Sequence, residues 1–286
     1  MNQPILLGSH MSVAGGLHMA FERGTRIGCT TMQVFVKNAS RWTGKPLTPD
    51  AVASYTAAAA KATIAPVIAH AAYLINLCAR ADDVRLRSRK GLADELMRCT
   101  TLGVAGLVVH PGAHMGAGES DGLARIAESL NIIHTELPEA STRTLLETTA
   151  GQGTTLGYRF EHLRRIIDLV EDKTRIAICL DTCHPFAAGY PIHTEEGWES
   201  TMRELEEIIG LQRVVAVHVN DSKRECGSRI DRHDHIGKGR VGETAFRMLM
   251  NDTRLRGVPK ILEPEKSEDM HEDIENMDRL RALVAW

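Results

Sequence analysis

Residues 176–184 read Ile176-Ala177-Ile178-Cys179-Leu180-Asp181-Thr182-Cys183-His184. Five apolar residues closing on a carboxylate describe a buried strand that delivers a charged side chain to its carboxy-terminal end. The arrangement recurs along the chain. Apolar, largely β-branched runs predict strands over 5–9, 32–36, 66–69, 106–109, 144–146, 176–180, 214–219 and 259–262. Between and after them, amphipathic runs predict helices over 17–27, 50–62, 84–102, 121–137, 159–171, 195–209, 243–251 and 268–284. Strands that alternate with helices pair in parallel through helical crossovers. No Pro/Ser linker, low-complexity tract or composition shift divides the sequence. The reading is therefore one α/β domain over residues 1–286, a (β/α)8 TIM barrel whose active site lies at the C-terminal mouth of the strands. A doubly wound open sheet is the alternative that spacing leaves open.

Potential metal ligands fall at the ends of these runs. His70 follows the third strand, His110 the fourth, Glu147 the fifth and Asp181 the sixth; His218 ends the seventh and Glu263 follows the eighth. Successive steps are 40, 37, 34, 37 and 45 residues, one βα unit each, so in a closed barrel all six side chains converge on one mouth. Scattered core histidines would not keep that phase. His184 adds an imidazole just past Asp181, and Asp231-Arg232-His233 places a carboxylate and an imidazole two residues apart, pointing the same way on an extended segment. That pair alone reads equally as a solvated ion pair. Nitrogen and carboxylate donors without thiolate suit zinc, or manganese where oxygen predominates, and a mixed set with open positions is catalytic in type.

The remaining features bound the function. With 43% hydrophobic and 25% charged residues the chain has the composition of a folded globular protein. No apolar run is long enough for a membrane span and no signal peptide is evident, so the expected location is cytoplasmic, away from membranes. Cys29, Cys78, Cys99, Cys179, Cys183 and Cys226 are too scattered for a disulfide framework and are expected as reduced thiols, with Cys179 and Cys183 packed in the core. Gly8-Ser9-His10-Met11 looks like an expression-tag scar, but an apolar strand precedes it, so His10 belongs to the fold. Gly151-Gln152-Gly153 lacks dinucleotide-loop spacing and reads as a tight turn that lets backbone approach a ligand. Arg85, Arg87, Arg89 and Lys90 share a helix with Asp82, Asp83 and Asp94 and read as a solvated face. The formal net charge of −3 argues against a phosphate-rich partner, yet three bound divalent cations would bring it to about +3, concentrated in one cleft. Two mouth loops mix cations, amides and rings: Lys37-Asn38-Ala39-Ser40-Arg41-Trp42 and Ala71-Ala72-Tyr73. Such loops grip a distorted or extrahelical nucleotide, though either ring, Trp42 or Tyr73, reads equally as a packed loop anchor, and Arg229 and Arg232 add cations for a phosphate chain.

Taken in order, these motifs closely resemble those of the endonuclease IV family, zinc-dependent apurinic/apyrimidinic endonucleases of base-excision repair. The resemblance runs the whole length. It is carried by Gly8-Ser9-His10-Met11-Ser12, His70-Ala71-Ala72-Tyr73-Leu74-Ile75-Asn76-Leu77, His110-Pro111-Gly112-Ala113-His114, and Glu147-Thr148-Thr149-Ala150-Gly151-Gln152-Gly153. Asp181-Thr182-Cys183-His184, His218-Val219-Asn220-Asp221-Ser222, Asp231-Arg232-His233-Asp234 and Ile261-Leu262-Glu263 complete it. The resemblance implies a barrel carrying three zinc ions. His70, His110 and Glu147 hold one; Glu147, Asp181, His218 and Glu263 a second; His184, Asp231 and His233 the third. Manganese is an alternative occupant of one site. It implies Glu147 and Glu263 as the catalytic carboxylates, and Lys37, Asn38, Arg41, Tyr73, Arg229 and Arg232 as DNA contacts. The implied partner is double-stranded DNA with abasic sites or blocked 3′ ends, met by a monomer with no obligate protein partner. Ala39-Ser40 and Ala71-Ala72 depart from the family's pattern in the DNA-contacting loops.

Hydrolysing a phosphodiester requires a nucleophile at neutral pH, neutralisation of the transition-state charge and stabilisation of the leaving oxygen, all of which clustered zinc supplies. By resemblance the cut falls 5′ to the abasic sugar, leaving a 3′-hydroxyl and a 5′-deoxyribose phosphate, and the same site trims 3′-blocking groups. The rival is a single-metal sugar isomerase or epimerase of the xylose-isomerase-like barrels, for which Glu147, Asp181, His218 and Glu263 suffice. His70, His110, His184, Asp231 and His233 are superfluous there and required for three metals. A lesion-binding protein without catalysis would show a broken ligand set, and none is broken.

Overall fold

The computed structural model describes residues 5–285. Eight strands form one parallel sheet: β1 (Leu7–Ser9), β2 (Met32–Val34), β3 (Val67–His70), β4 (Gly106–Val109), β5 (Arg143–Glu147), β6 (Ile176–Asp181), β7 (Val214–His218) and β8 (Lys260–Leu262). Their order is β1-β8-β7-β6-β5-β4-β3-β2, each strand beside its sequence neighbour, with β8 beside β1. The seam between β1 and β2 is drawn together by a parallel bridge between His10 and Gln33 and by the Met11 N–H, which donates to the Gln33 carbonyl at 2.7 Å. The sheet is thus a nearly closed (β/α)8 barrel, not an open doubly wound sheet.

Helices α1 (Met19–Arg26), α2 (Pro49–Ala62), α3 (Asp82–Leu102), α4 (Glu119–Glu136), α5 (Phe160–Leu169), α6 (Cys183–Ala188), α7 (Glu195–Ile208), α8 (Gly242–Asn251) and α9 (His271–Ala282) lie among the strands in the chain. Local chemistry sets several of their ends. The Thr48 hydroxyl accepts from the Ala51 N–H at 3.2 Å ahead of Pro49, and the Thr194 hydroxyl caps α7 from the Gly197 N–H at 3.0 Å. Gly103, at φ +69°, ends α3 in the left-handed region. Two helices differ from the sequence reading. The expected helix over 268–284 begins only at His271, because Met270 sits at φ +62° and breaks the helical path. The six-residue α6 falls in a stretch expected to be loop, being too short to show an apolar period.

Alternation along the strands places the site. Ile68, Val108, Leu145, Ala177, Cys179, Ala216 and Ile261 fill the barrel interior, a cluster separate from the larger one of the surrounding layers. Two residues further along each strand, on the same inward face, stand His70, His110, Glu147, Asp181, His218 and Glu263. A dry apolar floor therefore carries a polar lid one layer above it. Cys179 belongs to the floor directly beneath Asp181, and Cys183 is buried at the start of α6. All six cysteines are free thiols, five of them buried. Among the described residues no helix is long and apolar enough to cross a membrane.

Candidate metal centre

The barrel mouth holds a cavity of about 630 Å³, lined among others by His70, His110, Glu147, His184, Asp231 and Glu263. Within and beneath it the donor atoms form three groups of histidines and carboxylates, each with its members' ligand atoms within 4.8 Å of one another, and a further overlapping group, Asp181/Cys183/His233, includes a thiol. The three are His70/His110/Glu147, Glu147/Asp181/His218/Glu263 and His184/Asp231/His233. These are the three sets that the family resemblance implied. Glu147 belongs to two of them. Its Oε2 lies 3.3 Å from His70 Nε2 and 3.1 Å from His110 Nε2, while Oε1 lies 2.9 Å from His218 Nδ1 and 3.3 Å from His184 Nδ1.

Asp231 and His233 arrive from a long loop. Asp221–Ser222 and His233–Asp234 pair as a short antiparallel ribbon that turns the loop back over the mouth. The Asp221 carboxylate accepts from the N–H groups of Ser222, Gly237, Gly239 and Val241 at 2.8–3.0 Å, which fixes the base of that loop. Gln152 then accepts from the Asp231 N–H at 2.9 Å through Oε1. Its neighbours Gly151 and Gly153, at φ +74° and +63°, make the tight turn expected of this stretch. Asp231 reaches His184 Nε2 at 3.2 Å and His233 Nε2 at 3.3 Å, so the i, i+2 pair meets the third ligand of its set, His184.

Hydrogen bonds on the far side of the rings test whether these residues suit a bound cation. His70 Nδ1 lies 2.7 Å from the Ala71 carbonyl and His184 Nδ1 2.7 Å from the Thr148 carbonyl. A carbonyl only accepts, so each Nδ1 carries the proton and, in the neutral ring, each Nε2 presents a lone pair. Those lone pairs face carboxylate oxygens, an arrangement of acceptor against acceptor that needs a proton or a metal cation between them. His184 Nε2 and His233 Nε2 are buried and make no hydrogen bond. Backbone-anchored imidazoles with free, convergent lone pairs are the usual outer-shell signature of metal ligation. The donor set fits zinc.

The electrostatics agree. Burial alone raises the Glu147 carboxyl, but His218 and His110 outweigh it and hold that group well below the ordinary carboxylate range. Burial likewise opposes ionisation of Glu263, yet His218 and other facing imidazoles bring it down to about 2. On His184, burial favours the neutral ring and is overcome by Asp181, Asp231 and Glu147, which raise its pKa well above the usual imidazole value. Opposite charges across the centre stabilise one another, while Asp181 is raised by burial and by the neighbouring Glu147.

A family described as xylose isomerase-like TIM barrels matches residues 21–283. A relative from Chloroflexus aurantiacus named probable endonuclease 4 is 50% identical over 277 residues, covering 97% of each chain. The crystal structure of endonuclease IV from Thermus thermophilus superposes with a TM-score of 0.87 at 35% identity, covering 98% of both chains. This chain belongs to the endonuclease IV family. A D-tagatose 3-epimerase-like protein, at 19% identity and a TM-score of 0.73, shares the fold.

In this endonuclease IV family member the loops around the mouth depart in one respect from the sequence expectation. Lys37, expected as a DNA contact, is buried: its ammonium lies 2.6 Å from Glu95 Oε1 on α3 and donates to the Arg41 carbonyl at 3.0 Å. Glu95 also accepts from the Ala72 N–H at 3.1 Å, so the ion pair ties the loops after β2 and β3 to α3. Lys37→Ala is expected to destabilise the fold by about 3–5 kcal/mol, because it strands a buried carboxylate. The salt dependence of DNA binding should stay unchanged; a chemical melt and a salt titration of binding check both.

The other loop residues are free to act. Tyr73 is 74% exposed, its ring edge-on to Phe35 at 5.4 Å. Asn38, Arg41 and Arg232 are exposed at the rim, Asn38 accepting from the Ser40 N–H within its own turn. Arg229, at φ +53°, lays its guanidinium over Tyr158 at 4.4 Å. Arg85 and Arg87 pair with Asp82 and Asp83 within α3, but Arg89, read as part of a solvated face, is partly buried and donates to Ser129 and Glu128 on α4. Sequence reasoning missed Gln33, Phe35, Asn220 and Lys266. Asn220 donates to Asp181 Oδ2 at 2.6 Å and to Glu263 Oε2 at 3.2 Å, while Lys266 bonds Ser9, the His10 carbonyl and Asp273 beside the cavity. A glutamine inside an apolar strand was the available signal for Gln33.

Proposed function

We propose that this protein hydrolyses the DNA phosphodiester 5′ to an abasic site with three zinc ions, leaving a 3′-hydroxyl and a 5′-deoxyribose phosphate, and that it trims 3′-blocking groups at the same site. The observation that carries the reading is the sharing of Glu147 between two donor sets with a third set alongside in one cavity. A single-metal sugar isomerase leaves His70, His110, His184, Asp231 and His233 without a task. Zinc, or manganese at one position, would supply Lewis acidity toward the phosphate oxygens and a water acidic enough to attack at neutral pH.

The chain's own residues supply the geometry. Glu147 fixes the spacing of two donor sets through its two oxygens. Glu263, held on one oxygen by Gln33 at 2.7 Å and on the other by Asn220 at 3.2 Å, is oriented to align the attacking water. His184, Asp231 and His233 form the third donor set alongside, for the phosphate and leaving oxygen. Tyr73, braced by Phe35, offers a stacking face at the lip for the distorted nucleotide. Arg41, Arg229, Arg232 and Asn38 line the path of the phosphate chain, and the whole chain acts as one unit on one groove, as a monomer in the cytoplasm.

A duplex carrying one tetrahydrofuran abasic analogue tests this directly. The analogue cannot undergo β-elimination, so any cut is hydrolytic. Incision immediately 5′ to the analogue, abolished by metal stripping and restored by zinc, is the expected result. Tight lesion binding without a cut would indicate a binder that has lost catalysis. Neither binding nor cutting by folded, metal-loaded protein would turn the reading to sugar isomerisation.

A further inference from the structure

We propose that Gln33 is a positioning residue that sets the ligating form of His218 and the orientation of Glu263, an inference that rests on the metal-centre reading above. Gln33 is fully buried in the middle of β2, between Met32 and Val34. A carboxamide there must satisfy both ends or weaken the strand that carries it. Its Nε2 lies 2.7 Å from Glu263 Oε1 and 3.0 Å from His10 Nδ1, and its Oε1 lies 2.8 Å from His218 Nε2.

The chemistry of the partners fixes which end is which. An ionised carboxylate only accepts, so the amide NH2 faces Glu263 and the amide oxygen faces His218. His218 must therefore carry its proton on Nε2. That leaves Nδ1 as the lone pair, directed at Glu147 Oε1 at 2.9 Å and Glu263 Oε2 at 3.1 Å, its companions in the second donor set. One side chain thus selects the imidazole tautomer and pins the carboxylate of the same set. The second amide hydrogen reaches His10 Nδ1, which puts the His10 proton on Nε2, a buried atom without a partner on the wall of the cavity.

Gln33 also accepts the Met11 N–H through its backbone carbonyl at the seam that draws the barrel together. The side chain and the main chain of one residue therefore join the site to the closure of the fold, and the test must separate them. Gln33→Met keeps the volume and removes both polar ends. Gln33→Asn keeps the amide on a stem one methylene too short to span the three partners. Neither alters the backbone carbonyl.

Zinc retained per chain is measured by elemental analysis against graded chelator, together with the His218 tautomer from long-range 1H–15N correlation. Both variants are expected to release one zinc equivalent at roughly ten- to a hundredfold lower chelator strength, with the remaining zinc held as in the parent. The His218 signal should shift from Nε2–H toward a mixture. Folded variants that hold all their zinc like the parent, with His218 still in the Nε2–H form, overturn the role of Gln33 and leave the metal reading standing. A parent protein that takes up no zinc overturns the metal reading itself. Loss of the fold in both variants overturns the proposal too, since it makes Gln33 a residue of the seam.

Discussion

Glu147→Gln is expected to lower incision of abasic-site DNA by about a thousandfold or more, and to cost the protein zinc from two of its three donor sets while the barrel stays folded. The substitution keeps the shape of the side chain and removes one negative charge. That charge faces four imidazoles, those of His70, His110, His184 and His218, all between 2.9 and 3.3 Å. An amide offers one acceptor where the carboxylate offered two, and its NH2 end turns a donor either toward Nε2 of His70 and His110 or toward Nδ1 of His218 and the proton-bearing Nδ1 of His184. Both neighbouring sets lose their common anion at once. A change confined to Asp231 would weaken only the third set, so zinc stoichiometry separates the two. Zinc content, melting temperature and incision rate on the same preparation check the prediction. A variant that cuts within tenfold of the parent rate would end the argument for Glu147 as the shared centre.

The fold was legible because the strands from β3 to β8 repeat one grammar: apolar residues with a polar ligand at or just past the end. Period-two alternation from Ile68 to His70, Val108 to His110 and Leu145 to Glu147 carries the site on the same inward face as the floor, so finding the strands also finds the ligands. Long-range hydrogen bonds were not legible. Gln33 and Glu263 are 230 residues apart, and nothing local to either shows that one holds the other. The burial of Lys37 was hidden for the same reason. A lysine in a polar loop looks solvated until the fold brings Glu95 from α3 against it. β2 ends earlier than expected, at Val34; the chain bends at Val36–Lys37, and Phe35 packs against His10, His70 and Tyr73 at the mouth. Asp231 and His233 stood even between two readings until the Asp221 anchor and the ribbon of Asp221–Ser222 with His233–Asp234 closed their loop over the mouth.

Stripping the metal with a chelator should destabilise the protein by about 4 kcal/mol for each ion held at a thousand times its dissociation constant. The stripped form should be most stable at mildly acidic pH. Without metal, the imidazole and carboxylate pairs are held together by protons. Facing carboxylates overcome burial to raise His70, His184, His218 and His233 above their ordinary value. A histidine with a raised folded pKa contributes stability that is complete below the unfolded value of about 6.5 and disappears as pH climbs through the folded value. Facing imidazoles overcome burial in the other direction for Glu147, Asp231 and Glu263, the last brought down to about 2. Those carboxylates contribute stability above the unfolded values of about 4 and lose it as pH falls through the folded ones. Asp181, raised by burial, adds to the loss on the alkaline side. The two sets overlap between roughly pH 4.5 and 6.5, and the stripped protein should melt progressively earlier above that window. Metal takes the place of those protons, so the loaded protein should hold its melting temperature to neutral pH, and the gap between the two forms should widen from pH 6 to 8. Paired melting curves across that range decide the matter. A stripped protein whose melting temperature does not change between pH 5 and 8 would mean that these pairs do not carry opposite charges, and the electrostatic account of the centre would fail with it.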